Sequence, residues 1–334
     1  MGDVIGPAVY GPITIMHLVR WASALENWHR IHYDRTFCVE HEGLPGPLVN
    51  GSWKQQVLAQ LLKDWAGPGG WLQSLKYEFR GMDLVGETLR ASGRVVSRKV
   101  QGYCGEVQCA IELRNSADQA TTVGEAIVLF PMKQGAAVQY PIRPSDGSGF
   151  SATAPLRKHR CPPQYTEYLG VKSERLVSTD VIDRSSLRRF MQAIMVRDPD
   201  YFDESGARVR RFGGIVAPPL YPLYALRTPA TNHDPLERAS HDTEFDGASQ
   251  TPWSSFGLPE LSGAPKRILN AGNGIDLFAY APLGVRIEVY SRYDDIYEKA
   301  GKQGNLLFVS VFSEYTVHET GQLLVRSRQT TILR

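Results

Sequence analysis

The feature that most constrains the fold of this chain is one order of elements that occurs twice in its 334 residues. Each copy has a short helical segment, a polar loop, a Gly/Pro-rich turn, an apolar helix and four long strands of alternating polarity. The expected helical segments are about 13–26 and about 183–195, and the turns that lead into the apolar helices are 46–51 and 213–219. The expected strands are about 73–80, 86–101, 104–114 and 120–131 in the first copy, and about 266–279, 284–297, 304–317 and 321–333 in the second. A repeat this long predicts a duplicated domain, because the units of solenoid proteins are much shorter.

A turn-rich stretch without apolar periodicity separates the two copies. It predicts a first domain at 1–140, a linker at 141–165 and a second domain at 166–334. A long helix wrapped by a curved antiparallel sheet is the hotdog arrangement, so two copies predict an α+β double hotdog, which is an internal pseudo-dimer. Because the chain then already contains the minimal pair, both a monomer and a homodimer fit the sequence.

The composition is that of an ordinary globular protein, with 42% hydrophobic residues, 22% charged residues and a formal net charge of +2. This balance predicts neither nucleic acid nor a membrane as a partner. No apolar run approaches the roughly 20 residues that span a bilayer, and the N-terminus lacks a signal-peptide pattern. The four cysteines have neither the spacing of a disulfide scaffold nor that of a metal site, so a reducing cytoplasm and no bound metal are expected.

Two neighbouring segments of the first half carry a family resemblance. Residues 23–34 read Ser-Ala-Leu-Glu-Asn-Trp-His-Arg-Ile-His-Tyr-Asp, and residues 43–51 read Gly-Leu-Pro-Gly-Pro-Leu-Val-Asn-Gly. Together they resemble the active-site loop and central-helix start of the MaoC-like acyl-thioester hydratases and dehydratases. The second half resembles the fatty-acid-synthase-type dehydratase domain that is often fused to them, over 193–204 and 267–273. The resemblance implies a hotdog fold and reversible hydration of an enoyl thioester, carried by coenzyme A or an acyl carrier protein, without a cofactor.

In that family the loop carries an acid and a histidine five positions apart, and the matching residues here are Asn27 and His32. His32 is the candidate acid/base, because an imidazole can accept a proton from water near neutral pH and return it. The alternative is a structural histidine with satisfied hydrogen bonds. Asn27 cannot transfer a proton, but its amide can orient a water molecule or His32. His29 is grouped with the candidate substrate-binding residues and has two open interpretations: a second proton carrier, or a loop histidine packed against Trp28 or Tyr33.

The start of the first apolar helix, at Val49, Asn50 and Gly51, is the candidate oxyanion and substrate-binding site. The first N–H groups of a helix lack intrahelical acceptors and lie at the positive end of its dipole, which suits the oxygen of a developing enolate. Gly51 is expected to let the ligand approach the backbone closely. Relatives usually have His-Gly at this turn, whereas this chain has Asn-Gly.

The segment of the second half that matches the catalytic loop has Asp198 at the acid position and Asp203 at the histidine position. Without an imidazole, this half is expected to be non-catalytic and to shape the pocket for the acyl chain. We interpret the two aspartates as turn and cap residues. In the first loop, we interpret Arg30 and Asp34 as a bracing pair rather than a catalytic one.

Two further segments have open interpretations. The basic run 208–212 either contacts the phosphates of coenzyme A or an acidic carrier protein, or is a solvated charged surface. The polar insertion at about 228–265 has the length of a functional lid.

Three functions fit these observations. The leading hypothesis is an enzyme that hydrates an enoyl thioester or dehydrates a 3-hydroxyacyl thioester. The second is isomerisation, cyclisation or elimination on a specialised metabolite, because Asn27 replaces the acid and one fold hosts many reactions. The third is a non-catalytic acyl-binding subunit that supports a catalytic partner.

Overall fold

A single antiparallel sheet runs through both halves of the computed structural model, in the strand order β1-β3-β4-β5-β2-β7-β10-β9-β8-β6. The strands are β1 Val4–Tyr10, β2 Trp71–Phe79, β3 Leu89–Gln101, β4 Cys104–Arg114, β5 Ala120–Pro131, β6 Leu176–Val177, β7 Ile268–Leu277, β8 Ile287–Gly301, β9 Gly304–Val317 and β10 Leu323–Leu333. The structure describes residues 2–133, 135–142, 151–153, 159–196, 198–227, 234, 236–248, 251–301 and 304–334.

The eight strands expected from the alternating pattern are all confirmed, and three of them (104–114, 120–131 and 304–317) have the expected bounds. Strand β1 was not expected, since Gly6 and Pro7 interrupt its short apolar pattern. The register of β1 against β3 shifts between Ile5 and Ala8, and this irregularity takes up the proline at the sheet edge.

Four α-helices are present among the described residues: α1 Ile15–Leu25, α2 Gly51–Ala66, α3 Arg184–Ala193 and α4 Ala207–Phe212. The central one is α2, which begins after the cap residue Asn50 and ends at Gly67, where φ is +67°. It is buried on nearly all sides, as a core helix is. Its buried face nevertheless includes five polar side chains: Lys54, Gln55, Gln56, Gln60 and Lys63. None of the described helices has the length and apolar character needed to cross a membrane.

The expectation that the second half also has a long central helix, after residues 213–219, is wrong for the described residues. The chain forms only the short 3₁₀ turn Tyr221–Tyr224 there. Pro218, Pro219 and Pro222 are the reason, because proline lacks the N–H of a helix interior and clashes with the preceding turn. The expected shorter helical segments are confirmed as α1 and α3.

The two halves meet where β2 pairs with β7, from Ser74 opposite Asp276 to Glu78 opposite Gly272. Tryptophan side chains add bonds across the same boundary: Trp71 Nε1 donates to the Leu277 carbonyl at 3.0 Å, and Trp53 Nε1 donates to the Ala193 carbonyl at 3.1 Å. One buried apolar cluster contains residues of both halves. The arrangement is the double hotdog expected from the sequence, with one central helix instead of two.

Short parts of the expected linker are described, and they pack on β7. The Ile142 N–H donates to the Phe278 carbonyl at 2.8 Å. Asp276 accepts the Ala152 N–H at 2.9 Å and the hydroxyl groups of Ser151 and Thr153 at 2.6 and 2.5 Å. These bonds attach the segment to the sheet of the second half.

Candidate active site

The candidate loop begins where α1 ends. Glu26 takes a left-handed conformation with φ 56°, and the Asn27 N–H donates to the Ala22 carbonyl at 3.0 Å. These bonds close the last turn of the helix and turn the chain away from its axis. The loop then passes through the 3₁₀ turn Arg30–His32 and the π-helical turn Phe37–His41 on its way to α2.

His32 is hydrogen-bonded to the backbone that leads into α2. Its Nδ1 lies 2.9 Å from the Leu48 carbonyl oxygen, and a carbonyl only accepts, so Nδ1 carries the proton and Nε2 is the basic nitrogen. The Leu48 N–H donates back to the Ile31 carbonyl at 2.9 Å. Since Leu48 precedes Asn50 by two residues, the loop and the helix start lie within roughly 10 Å of each other.

The environment of His32 keeps its imidazole neutral. Burial lowers the pKa of His32 to about 4; the hydrogen bond to Leu48 opposes this shift and the nearby His29 adds to it. His32 nevertheless keeps part of its surface accessible.

His29 packs edge to face against His32, with 5.9 Å between the ring centroids. Its Nε2 lies 3.9 Å from Asp246 Oδ2 of the second half. Burial lowers the pKa of His29, and the Asp246 carboxylate partly opposes that shift. The His29 ring therefore lies beside the candidate base and an acidic group of the other half. The Tyr33 hydroxyl donates to the Trp28 carbonyl at 2.6 Å.

Asn27 organises the loop with its side-chain oxygen. The Oδ1 atom accepts the His29 N–H at 3.3 Å, which is the local bond of an Asx turn. This bond holds the backbone between residues 27 and 29 and uses only the oxygen of the amide.

Arg30 and Asp34 form the brace that the sequence predicted, with 2.8 Å between Nη2 and Oδ2. The other oxygen of Asp34 accepts the Phe37 N–H at 3.0 Å, and the Arg30 guanidinium lies 4.5 Å from the centre of the Phe37 ring. These contacts tie the His32 turn to the π-helical turn that follows it.

Residues 241–248 of the second half, which we call the strap, lie against this loop. The Arg30 N–H donates to the Asp246 carbonyl at 2.8 Å, and Arg30 Nη1 donates to the carbonyls of Thr243 and Phe245 at 2.6 and 3.1 Å. The strap is one described part of the polar insertion at about 228–265, which has the length of a functional lid.

Gly247 lets the strap approach the loop. Its φ is +85°, and a Cβ at this position would lie only 2.0 Å from the Trp28 carbonyl oxygen. A second contact joins His41 Nδ1 to Glu244 Oε2 at 2.8 Å. Only glycine fits at position 247, because the backbone of the strap approaches the Trp28 carbonyl so closely there.

The helix start differs from expectation at Val49. Its N–H donates to the Asp83 carbonyl at 2.8 Å, so the prediction that Val49 supplies an oxyanion donor is wrong: the group already holds a neighbouring loop. Asn50 accepts the N–H groups of Trp53 and Lys54 with its carbonyl, at 3.1 Å each. The Asn50 side chain is 1% exposed, and neither atom of its amide has a hydrogen-bond partner within the described ranges.

Gly51 packs against an aromatic ring. A Cβ there would lie 2.8 Å from Cζ of Phe79, so the absence of a side chain makes room for this ring. The expectation that Gly51 also lets a ligand approach the backbone stays a prediction. The N–H groups of Asn50 and Gly51 lie at the helix start, where no intrahelical carbonyl is available to accept them, and they remain the candidate donors.

The sequence did not predict a buried ion pair next to the start of α2. Lys54 Nζ lies 2.8 Å from Asp83 Oδ2, and their side chains are 4% and 0% exposed. The Thr121 hydroxyl donates to the same oxygen at 2.9 Å. Burial lowers the pKa of Lys54, and Asp83 opposes the shift. The position of Asp83 between the apolar residues Met82 and Leu84 was the available signal.

The matching segment of the second half has the structural role predicted for it. Asp198 accepts the Asp200 N–H at 3.0 Å and pairs with Lys63 at 2.8 Å. Asp203 accepts the N–H and the hydroxyl of Ser205, both at 2.8 Å. The interpretation of Asp198 and Asp203 as turn and cap residues is confirmed.

The basic run 208–212 lies partly outside the described residues, since the Arg208 side chain is not described. Arg211 donates to the carbonyls of Pro68, Gly70 and Val138 at 2.7, 2.9 and 2.6 Å. Arg211 therefore holds the turn that follows α2, at the opposite end of the helix from Gly51.

Two family models match the chain, one in each half. Residues 10–85 match the model for hydroxyacyl-thioester dehydratase type 2. Residues 168–324 match the model for a FAS1-like dehydratase domain region. The first match contains Asn27, His32 and the start of α2. A comparison with curated proteins finds no match.

Solved structures with the same fold span nearly the whole chain. A protein from Chloroflexus aurantiacus described as a MaoC domain dehydratase is 12% identical with a TM-score of 0.64, and the match covers 100% of this chain and 95% of that one. A Mycobacterium tuberculosis protein described as having a double hotdog fold is 14% identical with a TM-score of 0.60, covering 99% and 96%. At these identities the likeness shows the fold, and the double hotdog is confirmed.

Proposed function

We propose that this double hotdog, whose two halves match dehydratase models, adds water reversibly to an enoyl thioester with His32 as the acid/base. The reverse direction is the dehydration of a 3-hydroxyacyl thioester. The observation that carries the proposal is the hydrogen bond from His32 Nδ1 to the Leu48 carbonyl. It leaves Nε2 as a neutral base beside the start of α2.

In hydration, the His32 Nε2 atom takes a proton from water as the water oxygen bonds to the β-carbon. The π electrons of the double bond move toward the thioester carbonyl, which becomes an enolate oxygen. The enolate then returns its electron pair to the α-carbon, which takes the proton back from His32. One group thus serves as base and then as acid, and the scheme does not require a carboxylate at position 27.

The enolate oxygen is stabilised by the N–H groups of Asn50 and Gly51 at the positive end of the α2 dipole. The buried side-chain amide of Asn50 adds a further donor, its nitrogen. Neither this nitrogen nor the amide oxygen has a hydrogen-bond partner in the described structure. Because an unpaired buried polar group costs about 1–3 kcal/mol, a substrate oxygen that pairs with it is favoured.

Asn27 is proposed as a positioning residue. Its Oδ1 holds the His29 N–H at 3.3 Å, and His29 packs against His32, so the amide acts on the base through the turn. The proposed acyl carrier is coenzyme A or a carrier protein.

The test is a spectrophotometric assay of enoyl-CoA thioesters with different chain lengths. We expect wild type to consume the enoyl absorbance and His32→Ala to lose a factor of about 10²–10⁴ in kcat/KM, the usual worth of a general acid/base. His318→Ala is the matched control, because His318 belongs to the second half and pairs with Glu288 at 3.0 Å.

Equal losses in the two histidine variants would refute the role of His32. A wild type that hydrates no thioester, with or without a carrier protein, would refute the proposed reaction. Such a result would favour isomerisation, cyclisation or elimination on another substrate, or a non-catalytic partner subunit.

A further inference from the structure

We propose that Asp246 of the strap supplies the carboxylate that the candidate loop lacks at position 27, and that it is a positioning residue for the neighbouring rings of His29 and His32. The second half has an aspartate at the position that matches the candidate base, and through Asp246 it contributes an acid to the site of the first half. The inference rests on the proposed function, because it concerns the charge that the same reaction creates.

Asp246 is held at the loop by its backbone and by one of its two carboxylate oxygens. Its carbonyl accepts the Arg30 N–H at 2.8 Å. Its Oδ1 atom accepts the Ala248 N–H at 2.8 Å, which is the local bond of an Asx turn. Its other carboxylate oxygen, Oδ2, faces the imidazole of His29. The fold therefore places a negative charge of the second half beside the histidines of the first.

His29 lies between this carboxylate and the candidate base. Its Nε2 atom is 3.9 Å from Asp246 Oδ2, and its ring packs edge to face on the His32 ring with 5.9 Å between the centroids. A separation of 3.9 Å is longer than a hydrogen bond, so the carboxylate acts on His29 through its charge or through one bridging water. The side chains of His29 and Asp246 are 32% and 46% exposed, so solvent reaches both.

The charge of Asp246 is directed at His29 more than that of the neighbouring acids. Three other carboxylates around the loop each lie 2.8–3.1 Å from a basic side chain: Glu42 from Arg267, Asp34 from Arg30, and Glu244 from His41. Within the described ranges, the ion-pair partner of Asp246 is His29. Burial lowers the pKa of His29, and Asp246 opposes this shift more than Glu42 does.

The proposed reaction explains why a carboxylate is useful there. When His32 takes a proton from water, its imidazole becomes a cation in a place where burial holds its pKa near 4. The loop itself has only the neutral amide of Asn27 at the acid position. A negative charge behind His29 offsets the positive charge that develops on the pair of rings. Because that charge appears only as the proton moves, Asp246 should raise kcat and leave KM unchanged.

The experiment compares Asp246→Asn with Asp242→Asn in the hydration of crotonyl-CoA. An asparagine keeps the size of the side chain and the Oδ1 acceptor of the Asx turn, so it removes only the charge. Asp242 is the matched control in the same strap: its Oδ1 accepts the Glu244 N–H at 3.0 Å, and its Oδ2 pairs with Arg238 at 2.7 Å. We expect kcat to fall about fivefold in Asp246→Asn, the upper range for a partly exposed ion pair, and to stay at the wild-type value in Asp242→Asn.

A double variant separates the role of the charge from a role in holding the strap. Asp246→Asn combined with Asn27→Asp moves the carboxylate to the acid position of the loop. The new side chain keeps an oxygen that can accept the His29 N–H, as Asn27 does at 3.3 Å. We expect the double variant to recover most of the lost kcat. No recovery would overturn the inference, because Asn27→Asp restores a charge beside His29 and changes nothing in the strap.

An NMR titration of the His29 ring provides a readout that does not depend on turnover. We expect the pKa of His29 to fall by roughly half a unit in Asp246→Asn, to stay unchanged in Asp242→Asn and to rise again in the double variant. An unchanged pKa in Asp246→Asn would overturn the inference, since the carboxylate would then have no electrostatic effect on the ring.

The two proposals can fail separately. If wild type hydrates crotonyl-CoA and Asp246→Asn does so with the same kcat, the inference fails and the proposed function stands. If wild type hydrates no thioester, the proposed function fails, and the titration alone decides whether Asp246 sets the charge at His29. A lowered pKa in Asp246→Asn then supports that assignment, and an unchanged one refutes it.

Discussion

At the scale of the residue, the bond to Leu48 and the depth of the site determine what His32 can do. The carbonyl of Leu48 selects the tautomer with the proton on Nδ1, and burial holds the pKa of His32 near 4. A base with this environment is unprotonated over the whole physiological range. Such a base accepts a proton from a reacting group in the transition state.

This environment predicts the pH dependence of hydration. The acidic limb of kcat/KM should lie near pH 4 to 5 and not near 6.5, because the free enzyme must have His32 unprotonated. The measurement is the pH profile of kcat/KM for a hydrated enoyl-CoA. A limb near pH 6.5 would show that the imidazole has its ordinary pKa and is solvated.

The same shift predicts a stability effect with a definite sign. Between pH 6.5 and about 4 the unfolded chain binds a proton at position 32 that the folded chain does not, so the free energy of unfolding falls as the pH falls through this window. In His32→Gln this contribution is absent, and urea unfolding at pH 7 and pH 5 should show a smaller loss than in wild type. An equal loss in the two proteins would contradict the assigned shift.

At the scale of the element, the start of α2 is held in place by a buried ion pair and a backbone hydrogen bond. The Lys54–Asp83 pair fixes the loop whose carbonyl binds the Val49 N–H, and the residue after Val49 is the cap of the helix. The candidate donors at Asn50 and Gly51 therefore depend on two side chains that a substrate does not touch. Positioning of this kind is what makes a helix end effective toward a developing charge.

Breaking that pair should cost far more than breaking an exposed one. We expect Lys54→Met to lower the free energy of unfolding by about 3–5 kcal/mol, because it leaves the Asp83 carboxylate buried without its partner. Arg286→Met is the control: Arg286 and Glu319 are 3.0 Å apart but are 42% and 41% exposed, and a surface pair contributes about 0–1 kcal/mol. Equal effects in urea unfolding would argue against a structural role for the buried pair.

At the scale of the whole molecule, the site belongs to both halves. The loop with His32 comes from the first half, and the strap that lies on it comes from the second. The sheet is continuous across β2 and β7, which joins the halves that carry the loop and the strap. The second half therefore contributes directly to the surroundings of the candidate loop.

The strap is tested at Gly247. In Gly247→Ala the new Cβ meets the Trp28 carbonyl oxygen at 2.0 Å, so the strap must move off the loop, and we expect kcat/KM to fall at least tenfold. Gly284→Ala is a matched control, because its φ of +84° gives the same backbone strain with no atom within 4 Å of the new Cβ. Hydrogen exchange of residues 27–34 should increase only in Gly247→Ala. Equal behaviour of the two variants would show that backbone strain, and not the contact with the loop, is responsible.

The limits of sequence-based prediction follow from the range of each interaction. The strands were predictable because alternation is a local pattern, and β4 shows it in the burial of Val107, Cys109, Ile111 and Leu113. The second central helix was predicted wrongly because apolar content was given more weight than three prolines. Val49 was predicted to be an oxyanion donor because the N–H groups at a helix start usually lack a partner. Its N–H is occupied only because the Asp83 carbonyl, 34 residues further along the chain, accepts it.

By itself, the sequence determined the duplicated architecture, the strands, the central helix α2 and the candidate histidine of the first loop, because each of these depends on residues close together in the chain. The tertiary structure alone decided which N–H groups are available at the helix start, which nitrogen of His32 is basic, and that a strap of the second half lies on the loop of the first. These features depend on contacts between residues up to about 215 positions apart, such as Arg30 and Phe245. No local pattern encodes such contacts, because they exist only after the sheet has brought the two halves together.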